Sequence, residues 1–317
     1  MPTFTSPNDR TSLFYRYYTP SSSPHKPVIS IQCQSLTLVF IHGWPMSSRM
    51  FDQLIVPVVE AHRYPVIAPD RRGFGNSDWN TPATGEVTFE TFASDLVALL
   101  EHLNPGPFVF VAASMGSGES VLAYESGSYV QKNCRGFVWI GPNMPFSESC
   151  AECPEAPATA IWDSLTDGLS SSEGKDFITQ QVPGVFRSDL CPVGQRTLQF
   201  FERLISQADP MALHRTAIIL RQPMAAKLRA LADGMGKDKA PIMILHGDSD
   251  PGMPLETSAA LVKEILPWST LKVYENAGHG ELSLIRANIS PRIDTLTHTS
   301  IIRPLPYPFF PSSFRLG

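Results

Sequence analysis

The sequence predicts an α/β protein with a mostly parallel central sheet, helices on both faces and a helical insertion. Two observations support this fold class. Short apolar runs alternate with segments of helical periodicity, which is the order expected of strands joined by crossover helices. The runs are apolar at consecutive positions, as in strands covered on both faces. They lie at 36–41, 64–68, 108–112, 137–140, 242–246 and 271–274.

The clearest helix is predicted to begin near Thr88, between the second and third strands. Apolar side chains recur at helical spacing along one face of this segment, and Pro105 and Gly106 predict its end. The face consists of Phe89, Phe92, Leu96, Leu99, Leu100 and Leu103.

The strand rhythm stops at residues 145–240, which we interpret as a helical cap or lid. The first part is rich in Pro, Ser, Cys and Glu and is expected to be irregular. Helical patterns follow around 197–206, 211–221 and 224–232. Insertions of this kind commonly wall a substrate pocket and exclude water.

The cap divides the chain into a core of residues 1–144 and 241–290, with the cap between them. A tail at 291–317 follows, in which closely spaced prolines disfavour a helix. We expect this tail to be poorly ordered.

Composition narrows the range of partners. The 317 residues are 43% apolar and carry a net charge of −5, so no basic surplus exists to release counterions from a nucleic acid. No run approaches the roughly 18 apolar residues of a membrane span. The polar N-terminus lacks the apolar region of a secretory signal. We therefore expect a cytoplasmic protein with a small-molecule substrate, whose oligomeric state the sequence leaves open.

The cysteines predict neither a disulfide framework nor a metal site. They are five in number and widely scattered, which suits a reducing compartment. Cys150 and Cys153 have the spacing of half a zinc site, but no second pair or nearby histidine accompanies them. No phosphate-binding loop or complete dinucleotide fingerprint occurs either, so neither metal nor cofactor is expected.

Ser114 is the candidate nucleophile. It directly follows an apolar strand and precedes a helical run, in the pattern Ala112-x-Ser114-x-Gly116. A serine at such a tight strand-to-helix turn is presented at the carboxyl edge of the sheet, and small neighbours relieve the crowded backbone. The usual pattern begins with Gly, and Ala is nearly as small.

An acid and a histidine follow in the order that a Ser-Asp-His arrangement requires. Asp250 lies just beyond the strand at 242–246 and is our first choice for the acid, with Asp248 second. The alternative is that both aspartates only cap a turn or helix. His279 lies on a glycine-flanked loop after the last strand, whereas His42 precedes the serine and His214 lies in the predicted cap.

Two backbone amides are candidates for an oxyanion hole. Met115 follows the serine at the start of a helix, where N–H groups are unpaired. Trp44 lies in the loop after the first strand, and its neighbour Pro45 has no N–H to donate.

These motifs resemble the α/β-hydrolases, specifically the cofactor-free, non-haem chloroperoxidase-like hydrolases and arylesterases. The resemblance covers residues 36–280 and is weakest in the cap. It implies that Ser114, Asp250 and His279 form a catalytic triad and that residues 70–77 support the serine turn. The segments that carry it are FIHGWPMSS at 40–48, VIAPDRRGFGNSD at 66–78, TFASDL at 91–96, ASMG at 113–116, HGDSD at 246–250 and AGH at 277–279.

Two departures from the family are visible. Members usually have an amphipathic helix after the histidine, where this chain has its proline-rich tail, and residues 28–35 look inserted. Natural variation and translated intron sequence are the explanations that the sequence leaves open. In either case we expect the His279 loop to lose a support.

The resemblance implies a carboxylesterase-like serine hydrolase that acts on ester, lactone or thioester bonds, with secondary metabolism as one expected setting. Relatives that open epoxides or remove halogens need a carboxylate at the position of Ser114. Aromatic residues in the cap favour an apolar substrate. The alternatives are a non-catalytic binding protein and an acyltransferase or perhydrolase on the same scaffold. The cap aromatics are Trp162, Phe177, Phe186, Phe200 and Phe201.

Overall fold

A computed structural model describes residues 2–21, 36–79, 86–235 and 239–279. Within them, eight strands form one sheet in the order β1-β2-β4-β3-β5-β6-β7-β8, antiparallel at β1 and β2 and parallel elsewhere. All six predicted runs are strands, and the α/β fold class is confirmed. The strands are β1 Thr3–Thr5, β2 Ser12–Tyr18, β3 Thr37–Ile41, β4 Val66–Pro69, β5 Phe108–Ala113, β6 Cys134–Ile140, β7 Ile242–Gly247 and β8 Thr270–Tyr274.

Helices flank both faces of the sheet and fill the connection between β6 and β7. A 3₁₀ turn at Ser48–Phe51 and a π turn at Pro57–Ala61 adjoin α1. The α-helices are α1 Asp52–Val56, α2 Phe89–Leu103, α3 Met115–Ser126, α4 Ser128–Asn133, α5 Thr159–Ser170, α6 Lys175–Thr179, α7 Val182–Val185, α8 Gln195–Gln207, α9 Pro210–Ile219, α10 Ala225–Gly234 and α11 Ala259–Ile265.

The core has two layers because side chains of a strand alternate between its faces. In β5, Phe110 and Ala112 enter the layer that holds α2 and α3. Val109 and Val111 enter the opposite layer, with α1 and part of the inserted helices. Both layers are buried, which explains why the strands read as continuous apolar runs.

Capping interactions determine both ends of helix α2. Thr88 and Thr91 form a reciprocal capping box, in which each side chain accepts from the backbone N–H of the other. The helix ends at Leu103 because Asn104 takes a left-handed conformation, with φ of 45°. Its predicted apolar face is buried apart from the partly buried Leu103.

The Pro-, Ser-, Cys- and Glu-rich stretch that opens the insertion, up to residue 158, is irregular, as expected. Three helices that the sequence patterns did not indicate follow it. Helices α5, α6 and α7 all precede residue 195. Only Trp162 of α5 is buried, so this helix lacks the broad apolar stripe that reveals a helix in sequence. The three later helical patterns correspond to α8, α9 and α10.

The division into core and cap stays a prediction. Six helices, α5 to α10, connect β6 to β7, and α10 packs against α3 and α11 beside the sheet. The insertion at 28–35 and the tail at 291–317 lie outside the described residues.

Candidate active site

Ser114 lies in a strained turn between β5 and α3. Its φ is 49° and its ψ is −120°, a conformation that costs a non-glycine residue about 1–3 kcal/mol. Its N–H donates to Ile140 O at 2.8 Å, which joins the turn to the neighbouring strand β6. A Cβ on Gly116 would lie 2.6 Å from Ile41 O, so the turn needs glycine there.

A chain of hydrogen bonds connects Ser114, His279 and Asp250. His279 Nδ1 lies 2.7 Å from Asp250 Oδ2, and Nε2 lies 2.8 Å from Ser114 Oγ. An ionised carboxylate only accepts hydrogen bonds, so Nδ1 carries the proton and Nε2 accepts from the serine hydroxyl. The other Asp250 oxygen accepts from the N–H groups of Gly252 and Met253.

Of the two candidate acids, Asp250 is the one that contacts the histidine. Asp248 is exposed, and its carboxylate accepts from Asn276 N–H at 2.8 Å and from the Ser249 hydroxyl. Asp248 therefore ties the acid loop to the histidine loop. Neither His42 nor His214 has a hydrogen bond to Ser114 among the described residues.

Asp250 makes His279 a stronger base. Burial by itself would lower the pKa of His279, but the charge of Asp250 and its hydrogen bond outweigh burial, and the pKa is raised above its ordinary value of 6.5. The Asp250 side chain is fully buried, whereas the His279 side chain is 17% exposed.

Sequence reasoning missed a second histidine beside the acid. His246, at the end of β7, donates from Nε2 to Met253 O at 2.8 Å and lies 3.7 Å from Asp250 Oδ2. Burial lowers its pKa, which keeps the imidazole neutral. The position of His246 within an apolar strand gave no signal of this contact.

The loop after β3 lies against the serine turn. A Cβ on Gly43 would be 3.1 Å from Ser114 Cβ. Neither Trp44 nor Met115 donates its backbone N–H to another described residue. Within the described ranges, both N–H groups that the sequence predicts as oxyanion donors are therefore without a backbone or side-chain acceptor.

His42 fixes the direction of the Trp44 N–H. The backbone N–H of Arg71 donates to His42 Nε2 at 2.9 Å. The ring proton of His42 is therefore on Nδ1, which donates to Gly43 O at 2.8 Å. Burial lowers the pKa of His42 well below 6.5. Because the Gly43–Trp44 peptide is trans, holding its carbonyl on one side directs its N–H to the other.

A buried ion pair between Arg71 and Glu119 supports the serine turn. Arg71 Nε donates to Glu119 Oε2 at 2.8 Å, and both side chains are at most 6% exposed. Arg71 also donates to His42 O at 2.9 Å. This pair joins α3 to the loops after β3 and β4.

Two residues of the inserted helices contact the site. The backbone N–H of His279 donates to Val185 O, at the end of α7, at 2.8 Å. Thr216 of α9 accepts from the indole Nε1–H of Trp44 at 2.8 Å. Sequence reasoning missed both contacts, because nothing in the local pattern marks either residue.

The predicted cap aromatics are largely occupied in packing. Phe186 and Phe201 are buried, with ring centroids 4.8 Å apart, and Phe200 lies edge-on to Phe201. Trp162 is buried and donates to Ser147 O. Phe177 packs against Gly168 of α5.

The described ranges contain no group of three or more His, Cys, Asp or Glu side chains placed to hold a metal ion. Cys150 and Cys153 exchange two backbone hydrogen bonds in a tight hairpin. Of the helices in these ranges, none has the length and apolar character to cross a membrane.

Comparisons with known proteins agree with this architecture. A family model described as alpha/beta hydrolase fold matches residues 37–161. The crystal structure of a bromoperoxidase from Bacillus anthracis superimposes with a TM-score of 0.78 at 23% identity, covering 94% of this chain and 99% of that one. The chain has the α/β-hydrolase fold. An esterase from Exiguobacterium antarcticum also superimposes with a TM-score of 0.78, at 22% identity, covering 94% and 100% of the two chains.

Sequence relatives resemble the chain over most of its length. Non-heme chloroperoxidase CPO-A1 of Kitasatospora aureofaciens is 29% identical over 255 residues, 78% of this chain and 86% of the relative. The bifunctional esterase/perhydrolase DCH of Acinetobacter calcoaceticus is 26% identical over 291 residues, 87% of this chain and 92% of the relative. The resemblance to non-haem chloroperoxidases is confirmed, and such relatives support hydrolase activity in general.

Proposed function

We propose that the chain is a serine hydrolase that cleaves carboxylic ester, lactone or thioester bonds of apolar small molecules. The observation that carries the proposal is the continuous hydrogen-bonded chain from Ser114 Oγ through His279 to Asp250 Oδ2. A hydroxyl becomes a useful nucleophile when an adjacent base accepts its proton and a third group orients that base.

In the proposed reaction, Ser114 Oγ attacks the substrate carbonyl while its proton moves to His279 Nε2. The oxyanion accepts hydrogen bonds from the N–H groups of Trp44 and Met115. His279 then passes its proton to the leaving group, and an acyl-serine remains. Water, activated by the same imidazole, releases the acid and restores Ser114.

Perhydrolysis is a second candidate, favoured by relatives named as chloroperoxidases and a perhydrolase. Hydrogen peroxide would replace water in the second step and release a peracid. Supplying peroxide with an ester and measuring the peracid-to-acid ratio compares the two acceptors. Adding an alcohol acceptor tests acyl transfer in the same assay.

The first test is labelling of the purified protein by a fluorophosphonate probe. We expect the wild type to label, S114A to lose all labelling and H279A to label far more slowly. S126A is the matched control, because Ser126 lies at the far end of α3, where its hydroxyl donates to Leu122 O. S126A should label like the wild type.

A folded wild type that does not label would overturn the proposal and favour a non-catalytic binding protein. Labelling that persists in S114A would assign the reactive serine elsewhere. The apolar substrate class is tested with ester series of increasing chain length. A preference for short polar esters would contradict it.

A further inference from the structure

The indole of Trp44 is fastened to the inserted helix α9. Its Nε1–H donates to Thr216 Oγ1 at 2.8 Å, between residues 172 positions apart. Thr216 is fully buried, and its hydroxyl lies 2.5 Å from Ala212 O. A hydroxyl has one proton, so Thr216 donates to the carbonyl and accepts from the indole.

The backbone end of Trp44 is held independently. Gly43 O accepts from His42 Nδ1–H at 2.8 Å and from Met46 N–H at 3.1 Å. The peptide that carries the Trp44 N–H is therefore fixed through its carbonyl. Trp44 is therefore held at both its backbone end and its side-chain end.

We propose that Thr216 is a positioning residue for the oxyanion hole. By holding the indole it adds a second restraint, beside the one through Gly43 O, that keeps the Trp44 N–H next to Ser114 at the position where negative charge develops. This inference rests on the proposed function and adds that α9 is required for the reacting geometry. Thr216 bonds to Trp44 and Ala212 and acts through Trp44.

The kinetic consequence is specific. An oxyanion donor interacts with the transition state far more strongly than with the ground-state carbonyl. Loss of the Thr216 contact should therefore lower kcat and kcat/KM together while KM changes little. A purely structural role would instead lower the melting temperature and the amount of folded enzyme, with unchanged turnover per active site.

Thr216 offers a matched pair of substitutions. T216V keeps the branched shape and removes the hydroxyl, and T216S keeps the hydroxyl and removes a methyl group. With active sites counted by phosphonate titration, we expect T216V to lose between about 10-fold and 100-fold in kcat for an aryl ester. T216S should stay within about threefold of the wild type, as expected of retained geometry.

A third variant removes the other half of the same bond. W44F keeps a ring in place of the indole and lacks the Nε1–H, without touching α9. We expect W44F to lose at least as much activity as T216V, and the double variant W44F/T216V to lose little more than W44F alone, because the hydrogen bond to Thr216 is already absent in W44F. W44F carries the test if T216V does not fold.

The outcomes separate this inference from the proposed function. If the wild type labels at Ser114 but W44F and T216V turn over like the wild type, Thr216 has no positioning role and the serine hydrolase stands. Multiplicative losses in the double variant, or an equal loss in T216S, would also overturn the positioning role. A folded wild type that does not label overturns the proposed function and this inference with it.

Discussion

Asp250 determines the behaviour of His279 in two ways. Its hydrogen bond to Nδ1 selects the tautomer that leaves Nε2 free to accept the Ser114 proton. Its charge raises the pKa of His279 against the opposing effect of burial. Asp248, two residues earlier, has neither effect because its carboxylate bonds to the backbone of Asn276.

This contrast predicts different results for D250N and D248N. An Asn at 250 either donates to Nδ1 or presents a weaker acceptor, so we expect kcat for ester hydrolysis to fall by about 10⁴-fold. An Asn at 248 still accepts from Asn276 N–H, and D248N should remain within a few-fold of the wild type in the same assay. Equal losses of kcat in D250N and D248N would contradict this account, because they would mean that both carboxylates only maintain the conformation of the loop.

The raised pKa of His279 predicts the acid limb of the pH profile. The base must be neutral to accept the serine proton, so kcat/KM should rise with pH through a midpoint above 6.5. In D250N, burial alone acts on His279 and the midpoint should move to lower pH. A wild-type midpoint at or below 6.5 would contradict this account.

The same shift affects stability with the opposite sense. A folded-state pKa above the unfolded value means that protonated His279 favours the folded state. This contribution is complete below the unfolded pKa and is lost as pH rises through the folded pKa. In the proposed mechanism, the neutral base therefore forms over the same pH range in which this stabilisation is lost.

Among the elements, α3 packs closely against the sheet at its first turn. Gly116 lies against Ile41 O, and Glu119 pairs with Arg71 beneath the turn. Helix α3 also packs against the helices α2 and α10. Helix α3 therefore both supports the serine turn and packs against its neighbouring helices.

The close contact at Gly116 predicts that G116A destabilises the fold. Its Cβ would force the turn or β3 to shift, at about 1–3 kcal/mol, and phosphonate labelling of Ser114 should slow. G234A is the control, because Gly234 ends α10 and, apart from its chain neighbours and its own helix backbone, no described residue comes within 4 Å of the methyl group that this substitution adds. Thermal unfolding compares the two, and equal melting temperatures would contradict the prediction.

The ion pair beneath α3 predicts a further difference within one helix. E119Q leaves the buried Arg71 charge without its partner, which should cost about 3–5 kcal/mol. E125Q, on the same helix, breaks the exposed pair between Glu125 and Lys227 of α10 and should cost less than about 1 kcal/mol. Urea unfolding measures both, and similar midpoints would show that the buried pair contributes nothing special.

Across the whole molecule, sequence patterns predicted features that depend on neighbouring residues, such as strands and the loops that follow them. Six of the eight strands follow from their continuous apolar runs, whereas β1 and β2 lack such runs and were not predicted. Ser114, Asp250 and His279 follow from their positions after strands in a required order. The contacts that join distant segments had no such signal. Trp44 and Thr216 are 172 positions apart, and no periodicity or motif links them.

The inserted helices show the same limit. Helices α8 to α10 have apolar faces that the sequence reveals, whereas α5 buries one residue and is held mainly by its neighbours α6 and α9. Its formation depends on tertiary contacts that composition does not record. The ion pair between Arg71 and Glu119 could likewise not be predicted from the sequence, although the family resemblance implies a supporting role for residues 70–77.

The hydrogen bond from His279 N–H to Val185 O has a consequence for engineering by recombination. A chimaera that received its inserted helices from a relative would exchange the carbonyl on which the histidine loop rests. We expect turnover to change in such a chimaera even though Ser114, His279 and Asp250 are kept, because the graft alters the acceptor of the His279 N–H. Libraries that vary the inserted helices but keep residues 182–186 fixed would preserve this acceptor and so separate changes in selectivity from changes in the histidine loop.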